Sequence, residues 1–167
     1  AKEGIKSTPR IDFKGEAIVY RDPYPEDGSL PIHCIGIDLE RDSDVYRING
    51  SIEKDKGRFL QLEDTGIIMG SKLAKNLGAD VGFPLLIRTR TKDGMIQTID
   101  TEVVGIFKTP NPPLNASALF MTIEMADAYL EMEGDVTSVS MLFSESLHPV
   151  DESERLLTSL KQNLGDT

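Results

Sequence analysis

Polar and apolar positions alternate most regularly in "MIQTIDTEVVGIFK" (95–108), where Ile96, Thr98, Asp100 and Glu102 share one face. That period of two predicts a strand. "FPLLIRTRT" (83–91) predicts its partner, and "KDG" (92–94) the turn between them, since Asp93-Gly94 can supply the positive φ angles of a tight hairpin. Upstream, "GEAIVYR" (15–21) alternates as a strand and "DPYPEDGS" (22–29) reads as a solvated loop. "LPIHCIGID" (30–38) is almost continuously apolar, which predicts a central strand. The stretch 39–60 is mostly charge and turn residues; Leu39, Val45 and Ile48 could line one side of a short helix, so it reads as irregular with one or two helical turns.

The stretch "IIMGSKLAKNLGADVGFPLLI" (67–87) punctuates itself. Ile67 to Met69 predicts a short buried strand, Ser71 an N-cap, and 72–77 a helix with Leu73, Ala74 and Leu77 on its apolar side. Gly78 then stops it in the left-handed conformation. "TPNPPLNAS" (109–117) reads as a proline-rich loop, and "ALFMTI" (118–123) as a strand. A helix follows over 122–134, N-capped by Thr122, with Met125, Ala128, Tyr129 and Met132 on its apolar face and Gly134 at its end. "DVTSVSMLF" (135–143) predicts a strand, and 151–165 a helix with Asp151 as N-cap and Glu154 at its third position. The expected fold class is α+β, a mixed sheet-and-helix domain of two lobes. Residues 1–65 form a first lobe of strands and loops, and 66–143 a β-α-β-β-β-α-β lobe. Residues 144–167 form a linker and C-terminal helix leading back toward the first lobe or a membrane.

Composition narrows the function. The 167 residues are 39% hydrophobic and 28% charged, with a formal net charge of −10. The charge is uneven: residues 121–167 hold 2 Lys+Arg against 10 Asp+Glu, a balance of −8. Such a chain is a poor ligand for nucleic acid, whose phosphates reward clustered cations, and equally for an anionic membrane surface. No apolar run approaches the roughly 18 residues of a membrane span, and the polar start at Ala1 has no signal-peptide pattern, so the sequence reads as a segment of a longer protein.

Reactive constellations are missing. "GIIMGSK" (66–72) has three residues between its glycines and Leu73 after the lysine, so it is not a phosphate loop. His33 and His148 are the two histidines, far apart and without zinc-ligand spacing. Cys34 is the single cysteine, in an apolar run where it serves as a small buried residue. No G-x-S-x-G elbow occurs. The acidic neighbours Glu63/Asp64 and Glu131/Glu133 read as solvated, and Met121, Met125 and Met132 as helix-on-sheet core. Neither catalytic, cofactor-binding nor metal-ligating residues are expected.

Several short motifs in order resemble the MacB-type extracytoplasmic core domain of ABC-transporter permeases, which include the lipoprotein-releasing Lol-type permeases. Gly70, Leu73, Ala74 and Leu77 match its G-x-x-L-A-x-x-L element, Val81-Gly82 its turn, and Val104, Gly105 and Phe107 its V-x-G-I/V-F strand. Ala126-Asp127 and Val136 to Val139 match its closing helix and strand, and "IHCIGIDLE" the strand upstream. Phe83 departs from the family, standing where its turn has Asp, and the hairpin tip is shorter than the hook of chaperone-binding Lol-type permeases. The resemblance implies a non-catalytic module on the periplasmic or outer face of the cytoplasmic membrane. It would couple ATP-driven motion to export or lipoprotein release. Its implied partners are a second permease subunit, a cytoplasmic ATPase subunit and a lipoprotein or peptide substrate. Membrane helices are expected before Ala1 and after Thr167. The alternative is a small-molecule-binding or regulatory domain. Contact candidates are the segments that protrude and are stiff: the tip Lys92, Asp93 and Gly94, and the proline segment with Pro110, Pro112, Pro113 and Leu114 at its apex.

Overall fold

The computed structural model describes residues 5–21, 24–143 and 149–164. Eight strands build one mixed sheet: β1 (Ile5–Arg21), β2 (Tyr24–Ile37), β3 (Ile52–Gly57), β4 (Ile67–Gly70), β5 (Pro84–Arg90), β6 (Ile96–Phe107), β7 (Ala118–Thr122) and β8 (Ser138–Phe143). Five helices accompany them: α1 (Leu39–Val45), α2 (Ser71–Leu77), α3 (Pro112–Ser117), α4 (Ile123–Leu130) and α5 (Pro149–Leu164), with a 3₁₀ turn over Ile48–Ser51. The fold class is α+β, as expected. Strands from before and after residue 65 belong to the same sheet, because β1 pairs with β5 and β2 with β7.

Pairing closes on itself. β1 bonds to β2, β2 to β7, β7 to β4, β4 to β6, β6 to β5 and β5 back to β1. β3 adds to β6, and β8 takes over the edge of β1 at Ile5 to Arg10, below its pairing with β5 at Glu16 to Ile18. Where β1 passes from one neighbour to the other, two threonines satisfy its backbone. Thr137 Oγ1 accepts from the Asp12 N–H at 2.7 Å, and the Thr89 hydroxyl donates to the Lys14 carbonyl at 2.8 Å.

Alternation along each strand sorts side chains between two cores. Inside the closed sheet lie Ile11, Cys34, Met69, Ile87, Ile99, Val103, Leu119 and their neighbours, joined by Leu73 and Leu77 of α2 and Met125, Ala126 and Leu130 of α4. Outside, Ile35, Ile37, Ile68, Val104, Phe107 and Phe120 form a second core, covered by Leu39, Ile48, Phe59, Leu60 and Leu114. A bulge in β6 feeds both, since its register against β4 shifts between Ile67–Val103 and Ile68–Gly105. Gly36 has no side chain because α4 crosses there: a Cβ would lie 2.6 Å from that of Ala126.

Several sequence expectations need correction. Residues 24–29 belong to β2, because β1 and β2 stay paired out to Arg21–Tyr24. Residues 52–57, read as irregular, form β3. The N-cap of α2 is Gly70, not Ser71, and makes no side-chain cap bond; a Cβ at Gly70 would sit 2.5 Å from the Asn115 carbonyl oxygen, so close packing sets the residue there. At the hairpin only Gly94 has positive φ, +84°, and a three-residue turn with glycine in that place closes it. The proline loop contains a helix: Asn111 caps α3 by accepting from the Leu114 N–H, with prolines in the first turn, where their missing N–H costs nothing. The unit from β4 to β8 is therefore β-α-β-β-α-β-α-β.

Thr122 does cap α4, accepting from the Met125 N–H at 3.2 Å. That helix stops at Glu131, in the left-handed region, with Gly134 in the turn beyond. It buries Met125, Ala126 and Leu130 while Ala128 is exposed. α5 starts at Pro149, so Asp151 lies inside the helix rather than capping it.

Candidate contact surface

The hairpin tip is braced rather than free. The Lys92 N–H donates to the Leu130 carbonyl at 2.9 Å, and the Lys92 ammonium pairs with Asp135. Arg90 Nη1 donates to the Gly94 carbonyl at 2.8 Å, and Thr91 Oγ1 accepts from the Met95 N–H at 3.2 Å. Met95 and Ile96, which follow the tip, are 63% and 68% exposed.

The proline segment is stiff for a different reason. Asn115, 9% exposed, folds back on it: Asn115 Nδ2 donates to the Thr109 carbonyl at 2.7 Å, and Asn115 Oδ1 accepts from the Thr109 N–H at 2.9 Å. Pro110, Pro112 and Pro113 are exposed, but Leu114 is half-buried against the outer core and is not an exposed apex.

The two candidates precede and follow β6, so the whole strand lies between them in sequence. Across the sheet they border one surface. Ile96, Arg90, Arg88, Lys14 and Pro31 are exposed, and a trough of about 700 Å³ runs past them and Glu16. It continues past Lys14 and Pro31 to His33 and Ser117, the last residue of α3. Glu16 accepts from Arg88 Nε at 3.1 Å and from Arg88 Nη2; that guanidinium holds the carboxyl below its ordinary value. His33 Nε2 stands 3.5 Å from Asp12 at a half-exposed position. The trough was missed in the sequence because its residues come from four strands. The alternation did place Ile96 and Thr98 on one face, and the structure shows that face to be the exposed one.

His33 and Cys34 lie on opposite faces of β2. Cys34 is fully buried, and burial pushes its thiol far above the ordinary value, which suppresses the nucleophilic thiolate. His148 lies outside the described residues. Among those described, no group of three His, Cys, Asp or Glu is placed to hold a metal ion, and no helix is long and apolar enough to cross a membrane.

A buried ion pair joins α1 to the sheet. Arg10 donates to Asp42 Oδ1 from Nε at 2.9 Å and from Nη2 at 2.6 Å, and its guanidinium lies 3.6 Å from the centre of the Tyr46 ring. Asp42 Oδ2 is buried without a partner among the described residues. Burial pushes the Asp42 carboxyl up, against the opposing pull of Arg10. The pair is structural in position, at the root of α1 rather than in the trough.

No protein-family model and no curated protein matches the sequence. Solved structures are similar in fold. The extracellular domain of the noncanonic ABC-type transporter YknZ from Gram-positive bacteria matches with a TM-score of 0.65 at 17% identity, covering 99% of this chain and 79% of that one. The periplasmic region of MacB from Actinobacillus actinomycetemcomitans matches at 0.62 and 16%, covering 96% and 68%. The chain has the fold of a MacB-type periplasmic core domain. Within this MacB-type fold, Ile5 and Phe143 are direct partners across β1 and β8, so the sheet begins and ends at one place. Antiparallel partners stand about 5 Å apart.

Proposed function

We propose that this chain is the non-catalytic extracytoplasmic domain of an ABC-transporter permease. It would pass ATP-driven motion of the membrane and cytoplasmic parts to a substrate or partner outside the cytoplasmic membrane. The likeness in fold along 99% of the chain to a transporter's extracellular domain supports this reading most directly. The side-by-side placement of Ile5 and Phe143 agrees with it, because two membrane helices flanking the domain could leave from one end of a rigid body. Export or lipoprotein release is the work we assign to the assembly. Its partners would be a second permease subunit, the cytoplasmic ATPase and a lipoprotein or peptide substrate.

Contact is the mode of action this domain can offer. Lys92-Asp93-Gly94 and the exposed Pro110, Pro112 and Pro113 would meet partners at low entropic cost, since both segments are already ordered by their own hydrogen bonds. The rival reading, a small-molecule-binding domain, requires a pocket that encloses most of its ligand; the trough is open along its length.

The deciding experiment replaces residues 5–143 by a short Gly/Ser linker in the full transporter. Basal ATP hydrolysis should persist while export is lost. Export at the unmodified rate would refute the reading. Pro112→Gly in the same transporter tests the proline segment without disturbing the core that Leu114 joins.

A further inference from the structure

We infer that the trough across β6, β5, β1 and β2 is a docking site for an extended acidic polypeptide segment of about six residues. The inference stands on the trough and does not depend on the transporter reading.

Charge is the first argument. The chain as a whole carries −10, of which −8 lies in residues 121–167, so an acidic partner is repelled from that end of the chain. In the trough the sign reverses. Along its whole length Lys14, Arg88 and Arg90 face two carboxylates, Glu16 and Asp12, a local balance of +1, and Asp12 lies at the far end beside His33. Glu16 is already engaged through both nitrogens that Arg88 offers it, so it presents little free anion to an incoming segment. Lys14 has no carboxylate partner among the described residues, and Arg90 makes only a bond to the Gly94 carbonyl. Two exposed cations on neighbouring strands thus point outward without a carboxylate partner among the described residues.

Shape and length are the second. Followed round the curve of the closed sheet, the trough crosses four strand spacings from Ile96 on β6 to Ser117 beside β7, so its occupant must bend with the sheet. At about 4.8 Å each this is roughly 19 Å, the length of about six extended residues at ~3.3 Å. The surface is mixed: Ile96 and Pro31 supply exposed apolar contact between the charges. An extended segment turns every second side chain toward the trough, so the segment that fits carries its carboxylates on that side, toward Arg90 and Lys14, with their methylene stems over Ile96 and Pro31. Its far end meets the Asp12–His33 pair and should be uncharged.

The test uses this 167-residue chain and a fluorescein-labelled hexapeptide of alternating Glu and Val, followed by fluorescence anisotropy in 50 mM and 300 mM NaCl. Saturable binding is expected, weakening several-fold at the higher salt, with none to the Lys/Val hexapeptide. The variant Lys14→Ala/Arg90→Ala, checked for an unchanged thermal melt, should raise Kd at least tenfold; Pro31→Ser alone should raise it two- to threefold. No binding up to 1 mM peptide overturns the proposal. So does equal binding of the Lys/Val peptide, or equal binding by a folded double variant. Concentration-dependent dimerisation that the double variant abolishes would reassign the surface to a second copy of the chain and likewise overturn it. None of these outcomes bears on export by the full transporter.

Discussion

One strand, β6, passes through two environments. From Ile96 to Glu102 it alternates, with Ile96, Thr98, Asp100 and Glu102 exposed while Ile99 and Thr101 are buried. From Val103 to Phe107 every residue is buried. The first half has the interior of the closed sheet on one side and solvent on the other. The second half lies beneath the segment that follows β3, where the Arg58 N–H donates to the Val104 carbonyl at 3.0 Å and Leu60 packs into the outer core. A sheet of this kind has a covered flank that carries stability and an open flank that is free to make contacts. The difference can be tested flank by flank.

The largest effect should come from the covered flank. Phe107 and Phe120 are fully buried, with ring centroids 5.2 Å apart at 64°, an edge-to-face pair. Phe120→Ala should lower unfolding stability by about 3–5 kcal/mol through lost burial and the cavity left behind. Urea denaturation would measure it. A loss below ~1 kcal/mol would mean that the outer core is loosely packed and the two flanks are alike.

The buried pair under α1 comes next. Asp42→Ala leaves the Arg10 guanidinium 8% exposed and without its counter-ion, and removing one member of a buried pair costs about 3–5 kcal/mol. Some of this is offset here, because ionised Asp42 already bears the cost of its own burial and keeps one oxygen unpartnered. We expect the lower end, near 3 kcal/mol. Arg10→Met/Asp42→Leu should recover most of it. If the double variant is as unstable as Asp42→Ala, the pair does more than fill space.

What the sequence made legible follows the same division. Strand β6 could be read in full because its alternation gives way to the run "VVGIF", and the near-continuous apolar stretch of β2 marked it as central. Both patterns report directly how many faces of a strand are buried. Helix α3 was hidden because three prolines in 109–117 resemble a loop, whereas prolines at a helix start are permitted. The apolar face of α4 was misjudged at its alanine, since Ala126 rather than Ala128, two residues on, meets Gly36, and only the tertiary contact tells two alanines apart. The trough could not be read at all. Its cations lie on β1 and β5, more than 70 residues apart in the chain, and become neighbours only through the pairing of Glu16 with Arg88.

A smaller effect separates the flanks by pH. Asp64 is mostly buried and bonds Arg58 through both carboxylate oxygens, at 2.6 and 2.9 Å, in the segment that covers β6. The Arg58 guanidinium, with help from the Gln61 N–H, holds this carboxyl below its ordinary value. A lowered carboxyl stabilises the fold above its unfolded pKa, near 3.9, and that contribution is lost as pH falls through the folded value. Arg58 is 44% exposed, so solvent screens the pair and about 1 kcal/mol is the upper expectation. Asp64→Asn should therefore lower Tm at pH 7 and flatten the acid limb of Tm against pH. An unchanged acid limb would place the titration elsewhere.

The smallest effect tests the open flank itself, with two isoleucines of the same strand. Ile106 is 4% exposed and Ile96 68%. Ile106→Ala should cost about 2–5 kcal/mol, whereas Ile96→Ala should stay within about 0.5 kcal/mol, the usual range for a surface change. The chemical change is identical, so the ratio isolates burial from the β-propensity that isoleucine has in any strand. A cost near 2 kcal/mol at Ile96 would show that something covers this flank in solution, and the contrast along β6 would fail. A negligible cost leaves Ile96 as an apolar side chain contributing little to the fold, placed between Arg90 and the hairpin tip. Its burial free energy would then be available only to whatever settles into the trough.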